Sequence, residues 1–437
     1  MKKFKPIMIL MYSICLLAVV CVHAQAYSES CEADIEECIS SFIHEYMYCV
    51  GQRTYPEWGP IIEENTNTVL FTEMANYEVD SARFFDMWYN SFDCHLEDLV
   101  IQKVNDNQVK ATFTVKSSIF FRDTLIETKR TIGYELYLQP ENESWKIVSI
   151  YTDALGYQTY VDDLALPRSS SVEDIKEQTK ALSEERLGNF ESLSADELSI
   201  FRSGDADSIE MTRKTRDREN ALISSQASSN SIWYNYYAAA AYADAFAESE
   251  NPEFYIAIDS KGNNQDCTNY VSQCVWAGYG GWDFDNPSAN AGNIASGYRM
   301  YKANGSDWYS NEWFGHRRGG SGPWETVDAH WNFVTKTHSK GPQGLGYNNN
   351  AVYTGVDAGT VYVGETLQLK KKGATKYAHS IFVTYLEHTE FEPYEYAGIL
   401  CNAHNNKYYH EPLTTFISSF GGVQCYMREL VYGYADF

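Results

Sequence analysis

The 437-residue sequence predicts an α+β protein. Apolar residues recur at helical spacing in two parts of the chain, over residues 31–50 and 233–278. Alternating and apolar runs that are typical of strands follow each of these parts. A polar stretch with few aromatic residues separates them, so two folded units joined by a linker are expected.

The first unit, residues 27–160, is predicted to be a small α+β roll. Residues 31–50 form an amphipathic helix, and a second helix is expected over residues 81–92. Four strand-like runs follow with turn sequences between them: 99–104, 108–121, 126–139 and 145–152. This order resembles the cystatin-like or nuclear-transport-factor-like roll. It carries no catalytic constellation, so an accessory or binding role is expected.

Residues 161–230 read as a polar linker that is partly helical. Charged residues dominate it, and short helices are expected near residues 172–187 and 195–201.

Counting the linker as the second unit, the third or C-terminal unit comprises residues 231–437. Its predicted helices come before its predicted strands. An alanine-rich helix over residues 233–247 is expected to pack closely on a second helix that starts at Cys267. Strand-like runs come later: 360–363, 365–369, 379–386, 396–402 and 423–432. N-terminal helices packed on an antiparallel sheet are the order of a papain-like core.

Residues 1–26 have the features of a secretory signal peptide. Lysines at positions 2, 3 and 5 precede an apolar run over residues 7–22, and Ala24-Gln25-Ala26 supplies small residues for a cleavage site. The run is short for a membrane span. The mature protein is therefore expected to be secreted, with no membrane attachment after cleavage.

The composition excludes some functions. A formal net charge of −25 argues against nucleic acid as a partner. The sequence has no His-Glu-x-x-His segment and no Cys-x-x-Cys pair, so neither a metal nor a cofactor is expected. A metal hydrolase is a rival that would need ligands such as His379, His404 and His410.

Ten cysteines include Cys15 and Cys21 in the leader, which leaves eight. Four of these belong to the first unit and could form one or two disulfides: Cys31, Cys38, Cys49 and Cys94. Cys401 and Cys425 could bridge neighbouring strands. The connectivity cannot be read from the sequence.

Cys267 is the candidate nucleophile. Asp266 precedes it and can cap the helix, because its carboxylate can accept a backbone N–H of the first turn. Gly278 offers a stop for the helix. The unpaired N–H groups of a helix start favour a thiolate over a thiol. The alternative is a small buried residue with no chemical role.

His379 is the candidate base, because it opens an apolar strand after a polar turn and its ring could face a cleft. Asn402 and His404 come after the next strand-like run and point to the same side, so either could orient the imidazole. The oxyanion would meet the backbone N–H of Cys267, with Asn264 or Gln265 as a side-chain donor.

These residues together resemble the bacterial secreted "putative amidase" domain family, which is part of the papain-like cysteine peptidase and amidase group and akin to CHAP-type wall hydrolases. The most specific piece is Asp266-Cys267-Thr268-Asn269-Tyr270-Val271-Ser272-Gln273. Weaker pieces follow in the family's order: Trp324 to Val327, Gly364-Glu365 in place of Gly-Asp, His379 to Thr384, and Asn402 to His404.

The resemblance implies a role for each matching residue. Cys267 is the nucleophile, His379 the base and His404 the third member, and together they hydrolyse an amide through a thioester. The implied substrate is a peptide or peptidoglycan-like amide, at a secreted or cell-wall location. Six tryptophans could line a substrate groove: Trp276, Trp282, Trp308, Trp313, Trp324 and Trp331. The rival reading is a non-catalytic extracellular binding or adhesion protein in which the thiol is silent.

Overall fold

The computed structural model describes residues 29–437, apart from a set of internal positions: 122–123, 125, 143, 165, 168, 189, 205–214, 217–218, 220, 222, 255–265, 303–306, 311–319 and 388–394. The expected signal peptide, residues 1–26, lies outside the described residues. In the described part of the chain, no helix is both long and apolar enough to cross a membrane.

We number the α-helices α1 (Glu29–Gln52), α2 (Val69–Phe84), α3 (Leu155–Leu164), α4 (Val172–Leu187), α5 (Ala195–Ser203), α6 (Tyr236–Phe246), α7 (Cys267–Gly278), α8 (Pro287–Ser296), α9 (Gly322–Glu325), α10 (Val327–Val334) and α11 (Leu413–Ser419). The strands are β1 (Tyr89–Asn105), β2 (Gln108–Phe121), β3 (Glu127–Glu141), β4 (Ser144–Thr152), β5 (Ile232–Trp233), β6 (Gly341–Tyr347), β7 (Thr366–Lys370), β8 (His379–Leu386), β9 (Ile399–Ala403), β10 (Lys407–Pro412) and β11 (Tyr426–Asp436).

All of these strands belong to one antiparallel sheet. Its order is β1-β2-β3-β10-β9-β8-β7-β11-β5, with β4 on β3 and β6 on β11. The expected α+β class with a large antiparallel sheet is therefore confirmed. A papain-like core and a cystatin-like or nuclear-transport-factor-like roll stay predictions.

The sheet crosses from the first unit into the third. Strand β10 pairs with β3, where Lys407 lies opposite Thr131 and Tyr409 lies opposite Lys129. Beside this pairing, the Arg130 guanidinium donates two hydrogen bonds of 2.7 Å each to the buried Glu411 carboxylate. One hydrophobic core also includes buried residues of both units. The division at residue 160 stays a prediction, but the two units share backbone pairing and core.

Within the first unit, β2 has the predicted bounds and β3 and β4 lie close to theirs, whereas β1 begins at Tyr89, ten residues before the predicted run. The second helix is a correction, because it spans Val69–Phe84 and not residues 81–92. Asp86 has a left-handed φ of 55° just after the helix, which ends it there and lets β1 begin at Tyr89.

Helices α4 and α5 lie where short helices were expected in the linker. Each starts with a capping box, formed by Ser171 with Asp174 and by Ser194 with Glu197. These reciprocal side-chain hydrogen bonds explain why a polar stretch is helical.

In the third unit, β8 has the predicted bounds, whereas residues 358–360 form a 3₁₀ turn in place of part of the strand expected over 360–363. The sequence patterns did not predict seven of the elements described for this unit: β5, β6, β10, α8, α9, α10 and α11. Helices α6 and α7 pack closely, as expected, because Ala239 and Ala243 are fully buried and the Tyr270 hydroxyl donates to the Ala243 carbonyl at 2.6 Å.

Candidate active site around Cys267

Cys267 is the first residue of α7, a helix that is buried along its whole length. Its side chain is 5% exposed. The cap differs from the expected one, because the Asn405 side-chain oxygen accepts the backbone N–H of Asp266 at 2.7 Å and that of Cys267 at 3.1 Å. The Asp266 carboxylate instead accepts a hydrogen bond of 2.6 Å from the Asn269 amide. The N–H expected to meet an oxyanion is therefore engaged by Asn405.

The sulfur of Cys267 lies against polar groups inside the protein. The Thr268 hydroxyl is 3.8 Å from it. Burial raises the pKa of the Cys267 thiol, while hydrogen bonds from the Ser380 backbone and the Thr268 side chain oppose that rise. The expectation that the helix start favours the thiolate is wrong for this arrangement, because desolvation of the charged form has the larger effect.

A chain of hydrogen bonds leads away from this sulfur. The hydroxyls of Thr268 and Ser380 are 3.0 Å apart, and the Gln368 amide donates to the Ser380 hydroxyl at 3.3 Å. Arg428 donates to the Gln368 oxygen at 2.7 Å and to Asp328 at 2.8 Å. Because the Asp328 side chain is 37% exposed, the chain connects the buried thiol region to the surface.

The structure does not bring the side chains of Cys267 and His379 together. The His379 ring stacks on Phe420 at 5.7 Å and on Phe416 at 6.1 Å, both in the segment of α11. Ser380, the next residue of β8, contacts Thr268 at the start of α7. Adjacent strand residues point to opposite faces, so Cys267 and His379 lie on opposite sides of β8.

His379 is in an apolar site. It is 2% exposed, and its Nε2 atom has no hydrogen-bond partner within the described residues. Burial lowers the pKa of the imidazole to about 4, so the ring is neutral at pH 7.

His404 contacts the start of α7 and not His379. Its Nδ1 is 2.8 Å from the Asp266 carboxylate, its Nε2 is 2.8 Å from the Phe246 carbonyl, and its ring stacks on Tyr270. Both partners are acceptors, so each ring nitrogen faces a group that can accept a hydrogen bond. A buried His404–Asp266 pair therefore stands one residue from Cys267.

Asn402 likewise does not orient His379. Its amide donates to Asp244 at 2.9 Å, and its oxygen accepts the backbone N–H of His410 at 2.7 Å. Asn402 and His404 both contact the segment of α6, so they share a side of the sheet as predicted. Asn264 and Gln265 lie outside the described residues.

The other predicted groups are placed as follows. All eight described cysteines are free, so the suggested disulfides are not present in the structure. Trp276, Trp308 and Trp324 are fully buried in the core, and Trp331 is buried with them. Trp282 is partly buried against the same core, and Trp313 lies outside the described residues. Among the described residues, no group of three or more His, Cys, Asp or Glu side chains could hold a metal ion.

Three residues near Cys267 were missed by the sequence analysis. Asn405 has a left-handed φ of 104°, and an Asn directly after the His404 segment was a usable turn signal. Ser380 and Arg428 gave no such signal, because each lies in the middle of a run that reads as an ordinary strand.

The comparisons with known proteins bear on this unit. The model of a family described as "Putative amidase domain" matches residues 233–428. This match supports an amidase domain in the C-terminal part of the chain, with amide hydrolysis as its general activity. It contains Cys267, His379 and His404.

A search of curated proteins found no match. Among solved structures, the chain is similar to one titled "Crystal structure of Putative Scytalone Dehydratase" from Novosphingobium aromaticivorans DSM 12444. The two are 11% identical, the match covers 28% of this chain and 84% of that chain, and the TM-score is 0.21. A TM-score of this size supports no argument about fold or function.

Proposed function

We propose that the C-terminal unit hydrolyses an amide bond with Cys267 as its nucleophile. The observation that carries the proposal is the position of this thiol, at the first residue of a buried helix and inside the matched segment 233–428. Burial raises the pKa of the Cys267 thiol, and hydrogen bonds from the Ser380 backbone and the Thr268 side chain offset part of that rise.

In this proposal, His379 takes the proton of Cys267 and the thiolate attacks the substrate carbonyl carbon. An S–C bond forms while the C–N bond breaks, and the imidazolium gives its proton to the leaving amine. Water then hydrolyses the thioester and restores the thiol. His379 is the first residue of β8, and the step requires its ring to leave Phe416 and Phe420 and to reach the opposite face of β8, where Ser380 contacts Thr268. The described arrangement is then a resting one.

A second candidate function is a non-catalytic extracellular binding or adhesion protein with an amidase-like domain. Two observations favour it. The His379 ring is packed in an apolar site away from Cys267, and Asn405 engages the N–H that would stabilise an oxyanion.

We infer further that the protein is exported by way of residues 1–26, that wall peptides are its substrate class, and that residues 27–160 serve as an accessory module. The leader sequence and the chemistry of the C-terminal unit support this. Intact mass of the protein from culture medium tests export, because a chain that still carries residues 1–26 contradicts cleavage there.

The activity test uses peptides released from bacterial peptidoglycan as substrates, with new amines as the readout. Cys267→Ala is expected to lower kcat/KM at least about a thousandfold, and His379→Ala about a hundredfold or more. Cys94→Ser is the matched control, because this free cysteine lies on β1 of the first unit. Full activity in Cys267→Ala removes the nucleophile assignment. A folded wild-type protein that hydrolyses none of the peptides supports the binding alternative.

A further inference from the structure

One pocket of the C-terminal unit, apart from the region around Cys267, is lined in large part by tyrosines. It has a volume of about 380 Å³. Five tyrosines line it: Tyr234, Tyr236, Tyr237, Tyr362 and Tyr432. Leu386, which ends β8, also lines it, whereas Ser380 beside Cys267 is near the start of that strand. Six residues of extended chain span about 20 Å, so the pocket is separate from the candidate active site.

The rim of this pocket exposes an unusual amount of aromatic surface. Tyr236 is 45% exposed, Tyr237 is 70% exposed and Tyr362 is 48% exposed. Within this pocket, the rings of these three tyrosines are the aromatic surface that a ligand can reach. Clustered exposed aromatic rings mark a binding surface more often than isolated ones do.

The hydroxyls of Tyr234 and Tyr432 are engaged inside the protein. Tyr234 donates to the Gly364 carbonyl at 2.9 Å, and the Tyr432 hydroxyl bonds to His330 and Thr366. The rings of Tyr236 and Tyr237 contact each other, with centroids 4.3 Å apart. Two of the five hydroxyls are therefore already paired, which favours a ligand that relies on ring faces more than on hydrogen bonds.

The ring faces carry no cation from the protein itself. Arg216, Lys370 and Arg428 stack on other aromatic residues, and no described lysine or arginine stacks on the five pocket tyrosines. The negative faces of these rings are therefore free to attract a ligand cation.

Among the described residues, the one acidic side chain that lines the pocket is that of Glu365. The pocket residue Glu365 lies 3.7 Å from the Arg216 guanidinium, which also binds the buried Glu429. Two carboxylates thus share one guanidinium, and burial together with Glu429 raises the pKa of Glu365. A cation in the pocket favours the ionised form of Glu365. The net charge of −25 gives the whole molecule a negative field, which attracts cations.

We propose that this pocket binds an organic cation of the quaternary ammonium class, held by cation–π contact with Tyr236, Tyr237 and Tyr362. The site is independent of the proposed hydrolysis at Cys267. A trimethylammonium group is small enough for the pocket and has no hydrogen bonds to satisfy, which fits a pocket that exposes ring faces.

Isothermal titration calorimetry with choline chloride tests the proposal, at ionic strength fixed with sodium chloride. The comparison ligand is 3,3-dimethylbutan-1-ol, which has the same shape without the charge. Choline is expected to bind about tenfold more tightly, the size of a cation–π contribution. Equal binding of the two ligands, or no binding of choline, overturns the proposal. So does binding of N-acetylglucosamine in preference to choline.

Variants then locate the site. Tyr237→Leu removes a ring face and is expected to weaken choline binding about fivefold, whereas Tyr237→Phe keeps the ring and stays within about twofold of the wild type. Tyr298→Leu is the matched control, because Tyr298 is 44% exposed and does not line this pocket. Equal loss in the Leu and Phe variants, or loss in the control alone, contradicts recognition by the rings. Circular dichroism confirms that each variant is folded.

Discussion

At the scale of single residues, the two histidines predicted to act with Cys267 have different surroundings. His404 is held between two acceptors and supports Asp266, the residue before the thiol. His379 is held by two phenylalanine rings, with one ring nitrogen unpaired in the described structure. The first arrangement fixes the orientation of a ring beside Asp266, whereas the second favours a neutral ring at His379.

The burial of His379 predicts a dependence of stability on pH. Its folded pKa of about 4 lies below the ordinary value of 6.5, so the native state binds fewer protons between these values. The contribution of the neutral His379 ring to the unfolding free energy is present in full above pH 6.5 and is lost as the pH falls toward 4. It amounts to about 3 kcal/mol. When the pH falls from 6.5 to 4, the unfolding free energy of His379→Phe should therefore decrease by about 3 kcal/mol less than that of the wild type.

Urea unfolding at pH 7 and pH 4.5 measures this difference between the two proteins. His330, whose pKa is also lowered to about 4, is retained in both and cancels in the comparison. A wild type that gains stability relative to His379→Phe at the lower pH contradicts the apolar site. Such a gain in stability at the lower pH would instead indicate an imidazolium at His379 paired with a thiolate.

At the scale of elements, the position of β8 was predictable and the direction of its side chains was not. The run His379 to Thr384 reads as a strand from its apolar residues. Both faces of this strand are buried, so the pattern gives no sign of whether His379 or Ser380 faces α7. A shift of one residue in register would exchange the faces of His379 and Ser380. Only the packing of β8 against α7 and α11 decides which of the two side chains faces α7.

The contact between α6 and α7 gives a prediction about packing. Ala239 is fully buried against α7, so Ala239→Leu forces extra volume into a filled space and should cost about 1–3 kcal/mol of unfolding free energy. Ala241→Leu is the control, because Ala241 is exposed on the same helix and its variant should change stability by less than about 0.5 kcal/mol. Chemical denaturation measures both, and equal effects would contradict the close contact.

At the scale of the whole molecule, a sheet shared by both units was not predictable from the sequence. Strand β10 is short, contains charged residues and ends at Pro412, so it lacked a clear strand pattern. Its pairing with β3 depends on contacts between positions almost 300 residues apart, which no local pattern reports. The first helix, α7 and the longer strands were predictable from their periodicity, whereas the short elements between residues 279 and 350 were not.

The ion pair beside this junction predicts how strongly the units depend on each other. Arg130→Met leaves the buried Glu411 carboxylate unpaired and should cost about 3–5 kcal/mol, whereas Arg130→Met with Glu411→Leu should recover most of the loss. Urea unfolding of the wild type should also show one transition by fluorescence and by circular dichroism, because core and sheet are shared. Two separate transitions, or no recovery in the double variant, would contradict a continuous junction.

The most direct measurement of the proposed activity is mass mapping of the covalent adduct formed with a dipeptide chloromethyl ketone at pH 7. The account predicts that the modified peptide contains Cys267 and that the other seven described cysteines stay unmodified under the same conditions. Modification spread over several cysteines, or a protein that hydrolyses wall peptides while Cys267 stays free of adduct, would contradict a nucleophile at the start of α7.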